Sequence, residues 1–164
     1  MGTWDIGPFD NDMGADFANT LDEAAETDRE SIIRGALTTT IATRGYLNAF
    51  EGTEAVAAAA LIAAQCPSGV PIDASHGPQE PIPALPFDLR TLTIDALDRV
   101  LAEDSELAAL WDETGDGPRW RRNIACTRRI IAGAVESRFR PNQPGSAQRI
   151  KIACHDPSGP PQGP

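Results

Sequence analysis

Closely spaced carboxylates near the start of the chain are the first residues that could perform chemistry. Asp10, Asp12 and Asp16 alternate with other residues, as the acidic ligands of a calcium-binding loop do. Such a loop has glycine at its sixth position and a bidentate acid at its twelfth. Counted from Asp10, those positions hold Ala15 and Leu21. The spacing excludes a calcium loop of this type, and we predict no metal ligand here.

The sequence lacks motifs for zinc binding, nucleophilic catalysis and phosphate binding. His76 and His155 are the two histidines, and nothing near Cys154 completes a set of four zinc ligands. Ser75 and His76 are adjacent, which does not make a catalytic dyad, whereas a pairing of Cys126 with His76 stays open. No glycine-rich loop carries a lysine, and no strand leads into a dinucleotide-binding turn. We therefore predict no catalytic residue and no cofactor.

The charge of the chain is unevenly distributed. The formal net charge is −10, with 22 acids against 5 bases in residues 1–116 and 2 acids against 9 bases in residues 117–164. Two interpretations stay open: a basic last helix lying on an acidic body, or a basic tail with a separate partner. The acidic balance repels nucleic acid and anionic membranes, and "RWRRNIACTRR" is typical of an acid-paired helix. We predict no binding to either.

Cysteine usage and hydropathy indicate a cytoplasmic protein. Cys66, Cys126 and Cys154 are an odd number without paired spacing, which favours reduced thiols. The longest apolar run, "AVAAAALIAAQC", is shorter than the roughly 20 residues of a membrane span. No charged-then-apolar leader stands at the start.

Apolar residues recur at spacings of three and four, which predicts an all-α fold, a compact bundle of five to six helices. Thr27 and Glu30 have the spacing of a capping box for the second helix, whose apolar stripe includes Ile41. The almost wholly apolar "TEAVAAAALIAAQ" predicts a central, buried third helix. The sequence assigns the other helix starts to Met13, Asp88, Asp104 or Ser105, and Pro118, with Leu110 and Trp111 directed inward.

Proline and glycine divide this bundle from two other segments. Residues 66–86 hold six prolines, which predicts a Pro-rich surface loop that straps the body. Residues 140–164 have no helical period and are rich in proline and glycine, as disordered chains are. We expect a single helical domain over residues 1–139 and a disordered, basic tail over residues 140–164.

The opening block "GTWDIGPFDND" resembles the start of the bacterial domain-of-unknown-function family 4259 (DUF4259). The matching positions follow the pattern G-x-W-x-x-G-P-F-D-N-D, with Asp16, Phe17 and Leu21 after it. The resemblance continues through "RWRRNIA" and covers about residues 2–125, whereas the sequence beyond does not resemble the family. The resemblance implies no activity, substrate or catalytic residue.

The same block holds the candidate binding residues, which are Trp4, Asp5, Phe9, Asp10 and Asp12. Helix entry explains part of it, because Asn11 or Asp12 can cap the first helix, Phe9 can pack on its first turn, and Trp4 can anchor the arm. Asp5 and Asp10 are left without a structural reason.

Three functions stay open. We favour a non-enzymatic binding or protein-interaction module whose acidic surface meets a basic protein partner. The alternatives are an enzyme with a carboxylate-based site under the N-terminal block, and a structural or oligomerising module.

Overall fold

Six helices make up the regular structure of the described residues, 5–72 and 75–140, in a computed structural model. They are α1 (Asp12–Glu23), α2 (Glu26–Ala42), α3 (Ala49–Ala64), α4 (Asp88–Val100), α5 (Glu106–Asp112) and α6 (Gly117–Phe139). The predicted all-α bundle is confirmed. Trp4 and residues 141–164 of the predicted tail lie outside the described residues.

Helix α3 is the centre of the bundle, as the sequence predicts. It packs against each of the other five helices, and its alanines at positions 55, 57, 58 and 59 are fully buried. Small side chains let neighbouring backbones approach closely while the helix retains a high propensity. Leu21, Ile33, Leu97 and Ile131 from the surrounding helices fill the spaces around this alanine-rich axis.

Two predicted helix caps are wrong. Helix α2 begins after Ala25 and has no side-chain cap, so Thr27 lies inside the first turn and its hydroxyl donates to Asp28. Helix α4 begins after Phe87, and Asp88 makes no cap but accepts a hydrogen bond from Arg34 at 2.7 Å. Each helix thus begins one or two residues earlier than predicted, which places Thr27 and Asp88 inside the first turn.

Other helix ends follow the sequence closely. Asn11 caps α1 by accepting from Gly14 N–H at 2.8 Å, and the Ser105 hydroxyl accepts from Ala108 N–H at the start of α5. After α2, Gly45 takes a φ of +80°, a left-handed conformation that glycine adopts without a Cβ clash.

Helices α4 and α6 pack against each other in opposite directions. Arg128 of α6 pairs with Asp98 near the end of α4, whereas Arg138 near the end of α6 reaches Phe87 at the start of α4. Trp111 and Trp120 stack with their ring centroids 5.9 Å apart, joining α5 to α6. Within the described residues, no helix is both long enough and apolar enough to cross a membrane.

Candidate functional site

The N-terminal block lies against the first turn of α1, where the chain packs too closely for larger residues. Phe9 is buried in the core. A Cβ on Gly14 would meet the carbonyl oxygen of Pro8 at 2.4 Å and Cα of Phe9 at 3.1 Å. Both are backbone atoms, so the block could not yield by a side-chain rotation. Phe9 and Gly14 therefore hold the block in one position on the helix.

Asp5 and Asp10, the two carboxylates that helix entry does not explain, contact distant parts of the fold. Asp5 Oδ1 accepts from Arg119 Nη1 of α6 at 2.9 Å and from Ile6 N–H at 2.7 Å. Asp10 Oδ1 lies 3.0 Å from Nδ1 of His76 in the Pro-rich loop. Asp5 and Asp10 therefore act as tethers, joining the block to α6 and to the loop.

Asp5 and Asp10, the two tethers, are two of the five candidate binding residues. Phe9 belongs to the core, while Asp12 is exposed in the first turn of α1. Sequence reasoning missed Arg119 and His76 as partners of Asp5 and Asp10. Gly7, three residues before Asp10, is the sequence signal that could have indicated where the Asp10 side chain lies. A Cβ at Gly7 would lie 2.0 Å from Asp10 Oδ2, so glycine leaves the room that this carboxylate occupies.

The Pro-rich loop is fastened to the bundle by polar side chains of α1, α2 and α3. The Asp22 carboxylate accepts from the N–H groups of Gln79 and Glu80 at 3.0 and 2.9 Å. Gln65 donates to Pro83 O and accepts from Leu85 N–H, both at 2.9 Å. The loop is thus the predicted surface strap, held at defined points along its length.

Arg29 is the buried centre of this attachment. Its side chain donates to the carbonyls of Leu21 at 2.9 Å, Ala24 at 3.1 Å and Pro81 at 2.7 Å, and lies 3.8 Å from the Glu80 carboxylate. The residue is 6% exposed. A buried guanidinium is tolerated when its donors are satisfied, and here it binds the α1–α2 turn to the loop.

A second region presents apolar side chains to solvent at the junction of α2 and α3. Ile41, which the sequence places in the apolar stripe of α2, is exposed, as are Tyr46 (65%) and Phe50 (52%). Leu110 of α5 is also exposed, contrary to prediction. We call Ile41, Tyr46 and Phe50, with the carboxylates of Glu51 and Glu54, the aromatic–acidic surface.

The backbone that carries Tyr46 is held on both sides. Arg99 donates to the carbonyls of Thr43 and Gly45. Leu47 N–H donates to Asp104 O at 2.9 Å, and Leu47 O accepts from Glu106 N–H at 2.8 Å. Tyr46 is therefore displayed on a preorganised turn, although the side chain itself is largely solvent-exposed.

The Glu54 carboxylate, on the same helix as Phe50, is partly buried. Glu54 lies one helical turn after Phe50, so the two residues share a face of α3. Burial raises the pKa of the Glu54 carboxyl, and the nearby charge of Glu51 raises it further. Glu54 carries an incompletely solvated negative charge, which a cationic group would stabilise.

Arginines of α6 lie on the acidic body, in agreement with the first interpretation of the charge asymmetry. Arg121 Nε donates to Asp112 at 2.9 Å, and Arg128 Nε donates to Asp98 at 2.7 Å. Hydrogen bonding to Arg121 lowers the pKa of Asp112, and hydrogen bonding to Asp98 raises the pKa of Arg128. Part of the positive charge of α6 is therefore neutralised by carboxylates of the same chain.

The fold is a helical bundle in which the N-terminal block is fastened to α1, to α6 and to the Pro-rich loop. The family model described as "Domain of unknown function (DUF4259)" matches residues 2–123, so the chain belongs to this family. The resemblance predicted from the opening block is confirmed. Neither the curated proteins nor the solved structures contain a match.

Proposed function

We propose that this protein is a non-enzymatic protein-interaction module that binds a basic partner through the aromatic–acidic surface. The observation that carries the proposal is the exposure of Tyr46 and Phe50 on a backbone fixed by Arg99 and by the pairing at Leu47. Exposed aromatic side chains on a rigid scaffold are typical anchors of protein interfaces, because they bury large area at little entropic cost.

The charge around these anchors defines the chemistry of the partner. Glu51 and Glu54 lie on the same end of α3 as Phe50, and the Glu54 carboxyl is partly desolvated. Arginine side chains of a partner could pair with these carboxylates and stack on Tyr46 or Phe50. We further propose a cytoplasmic location in a bacterial cell. The Cys66 thiol is free and buried, whereas Cys126 is disulfide-bonded, which corrects the expectation that it is reduced.

The experiment is affinity capture from the native host with matched variants. The double variant Tyr46→Ala, Phe50→Ala should reduce recovery of a basic partner at least tenfold, on the order expected for loss of interface anchors. The control is Phe139→Ala, which removes another exposed aromatic side chain and should leave recovery unchanged.

A second pair of variants tests the electrostatic component. Glu51→Gln, Glu54→Gln should weaken capture and reduce its dependence on salt. The control Glu23→Gln, Glu26→Gln makes the same charge change at the end of α1 and the start of α2. Glu26 lies about 22 Å along α2 from Ile41, at 1.5 Å per residue. Capture that is equally strong at low and high salt, or is lost equally in both pairs, would refute the proposal.

A further inference from the structure

Two arginines converge on one aromatic ring where the start of α4 meets the end of α6. The guanidinium carbon of Arg90 lies 4.8 Å from the centroid of the Phe87 ring, and that of Arg138 lies 4.2 Å from the same centroid. Arg90 comes from the first turn of α4, one turn after Phe87, whereas Arg138 comes from the last turn of α6. Two positive charges are thus brought together in a chain of net charge −10.

Six of the other ten arginines in the described chain are paired with carboxylates, whereas Arg90 and Arg138 share an aromatic ring instead. Arginines at six positions of the described chain form ion pairs with carboxylates: Arg29, Arg34, Arg99, Arg119, Arg121 and Arg128. Over residues 5–72 and 75–140, the Arg90 and Arg138 side chains make neither an ion pair nor a hydrogen bond, and stack on Phe87 instead.

The acid nearest to Arg90 in the sequence does not neutralise it. Asp88 follows Phe87 directly, but its carboxylate accepts from Arg34 Nη1 at 2.7 Å, and Arg34 lowers the pKa of Asp88 through this hydrogen bond. Arg90 also carries a buried donor, which a fully solvated arginine would not. Its Nε atom is buried and has no hydrogen-bond partner within the described residues, and a buried donor without a partner is unfavourable.

We propose that Arg90, Arg138 and Phe87 form a binding site for a small oxyanion that presents two oxygens side by side, a carboxylate or a phosphate group. Stacking on Phe87 restricts the guanidinium groups and leaves their terminal Nη–H donors for hydrogen bonding. Parallel N–H donors match the oxygens of such an anion in a bidentate contact. The anion supplies the negative charge that Asp88, paired with Arg34, does not supply.

The test is a titration of the full chain with inorganic phosphate and, separately, with acetate, followed through the arginine Nε–H signals by NMR. Sodium chloride at equal ionic strength is the reference. We expect saturable shifts of the Arg90 and Arg138 signals with at least one oxyanion. Arg90→Gln and Arg138→Gln should each raise the dissociation constant about tenfold or more, because each removes a charged donor. The control Arg122→Gln changes an exposed arginine of α6 and should leave the constant unchanged.

Each outcome of these titrations either supports the anion site or overturns it. Saturation with phosphate alone or acetate alone identifies the anion, and saturation with both shows that the oxygen pair is the recognised feature. Shifts that are linear, that chloride reproduces, or that persist in both glutamine variants overturn the proposal. The two arginines would then serve only to cover Phe87. Because this readout involves no protein partner, its failure leaves the interaction proposal untouched.

Discussion

Substitution of Gly14 by alanine tests whether the entrance block is packed as tightly on α1 as its contacts indicate. The added Cβ would lie 2.4 Å from Pro8 O and 3.1 Å from Phe9 Cα, so the block would have to move away from the helix. Overpacking of this kind costs about 1–3 kcal/mol, partly offset by about 1 kcal/mol of helix propensity. Because the obstacle is a backbone oxygen that cannot rotate away, we expect Gly14→Ala to lower the free energy of unfolding by about 2 kcal/mol.

Gly35 provides the matched control, because it is also a helical glycine but has open space around a built Cβ. Gly35→Ala should therefore stabilise the protein by about 0.5–1 kcal/mol through helix propensity alone. Urea denaturation of both variants and the natural sequence measures the difference. Thermal unfolding should show Gly14→Ala melting about 4–8 °C below the natural sequence, at roughly 2–4 °C per kcal/mol. Equal stability of the two variants would refute the tight packing of the block.

Further predictions concern the attachment of the loop, the helix caps and the desolvated acid. Arg29→Met should destabilise the fold by about 3–5 kcal/mol in urea denaturation, because it leaves buried carbonyls without donors; a loss below about 1 kcal/mol would contradict the role given to Arg29. Asn11→Ala should cost about 1 kcal/mol as a lost cap, whereas Thr27→Ala should change stability by less than about 0.5 kcal/mol. Burial raises the pKa of Glu54 above its ordinary value, so the folded state binds the proton more tightly than the unfolded state does. The destabilisation caused by the charged carboxylate therefore grows as pH rises from the unfolded-state pKa to the folded-state pKa. Glu54→Gln should thus gain stability relative to the natural sequence at pH 7 and show no such gain below about pH 4; a gain independent of pH would contradict the assignment.

The helices and the central position of α3 could be predicted because they depend on local patterns. Spacings of three and four identify a buried face, and the alanine-rich run has no polar face to place outside. The caps were less predictable. Thr27 has a suitable spacing to Glu30, but α2 already begins at Glu26, and Asp88 is drawn to Arg34 on another helix. Competition from a distant side chain leaves no trace in the local sequence.

The candidate site was harder to predict for the same reason. Asp5 and Asp10 are recognisable as unexplained acids, but their partners, Arg119 and His76, are 114 and 66 positions away. The exposure of Ile41, near the end of α2, is likewise invisible to periodicity, because spacing identifies the face of a helix but not how far other elements extend over it. Sequence identified the residues of the entrance block and could not identify what they hold together.

Site-specific photocrosslinking in the native host tests the proposed interaction surface most directly. A photoreactive phenylalanine replaces Tyr46 in one variant, Phe139 in a second and Asp10 in a third, so that each reports from a different part of the described chain. The account predicts a crosslinked complex with a basic protein from position 46 that is absent from positions 139 and 10. A complex formed from position 10 and not from position 46 would contradict it, placing the interaction at the entrance block instead.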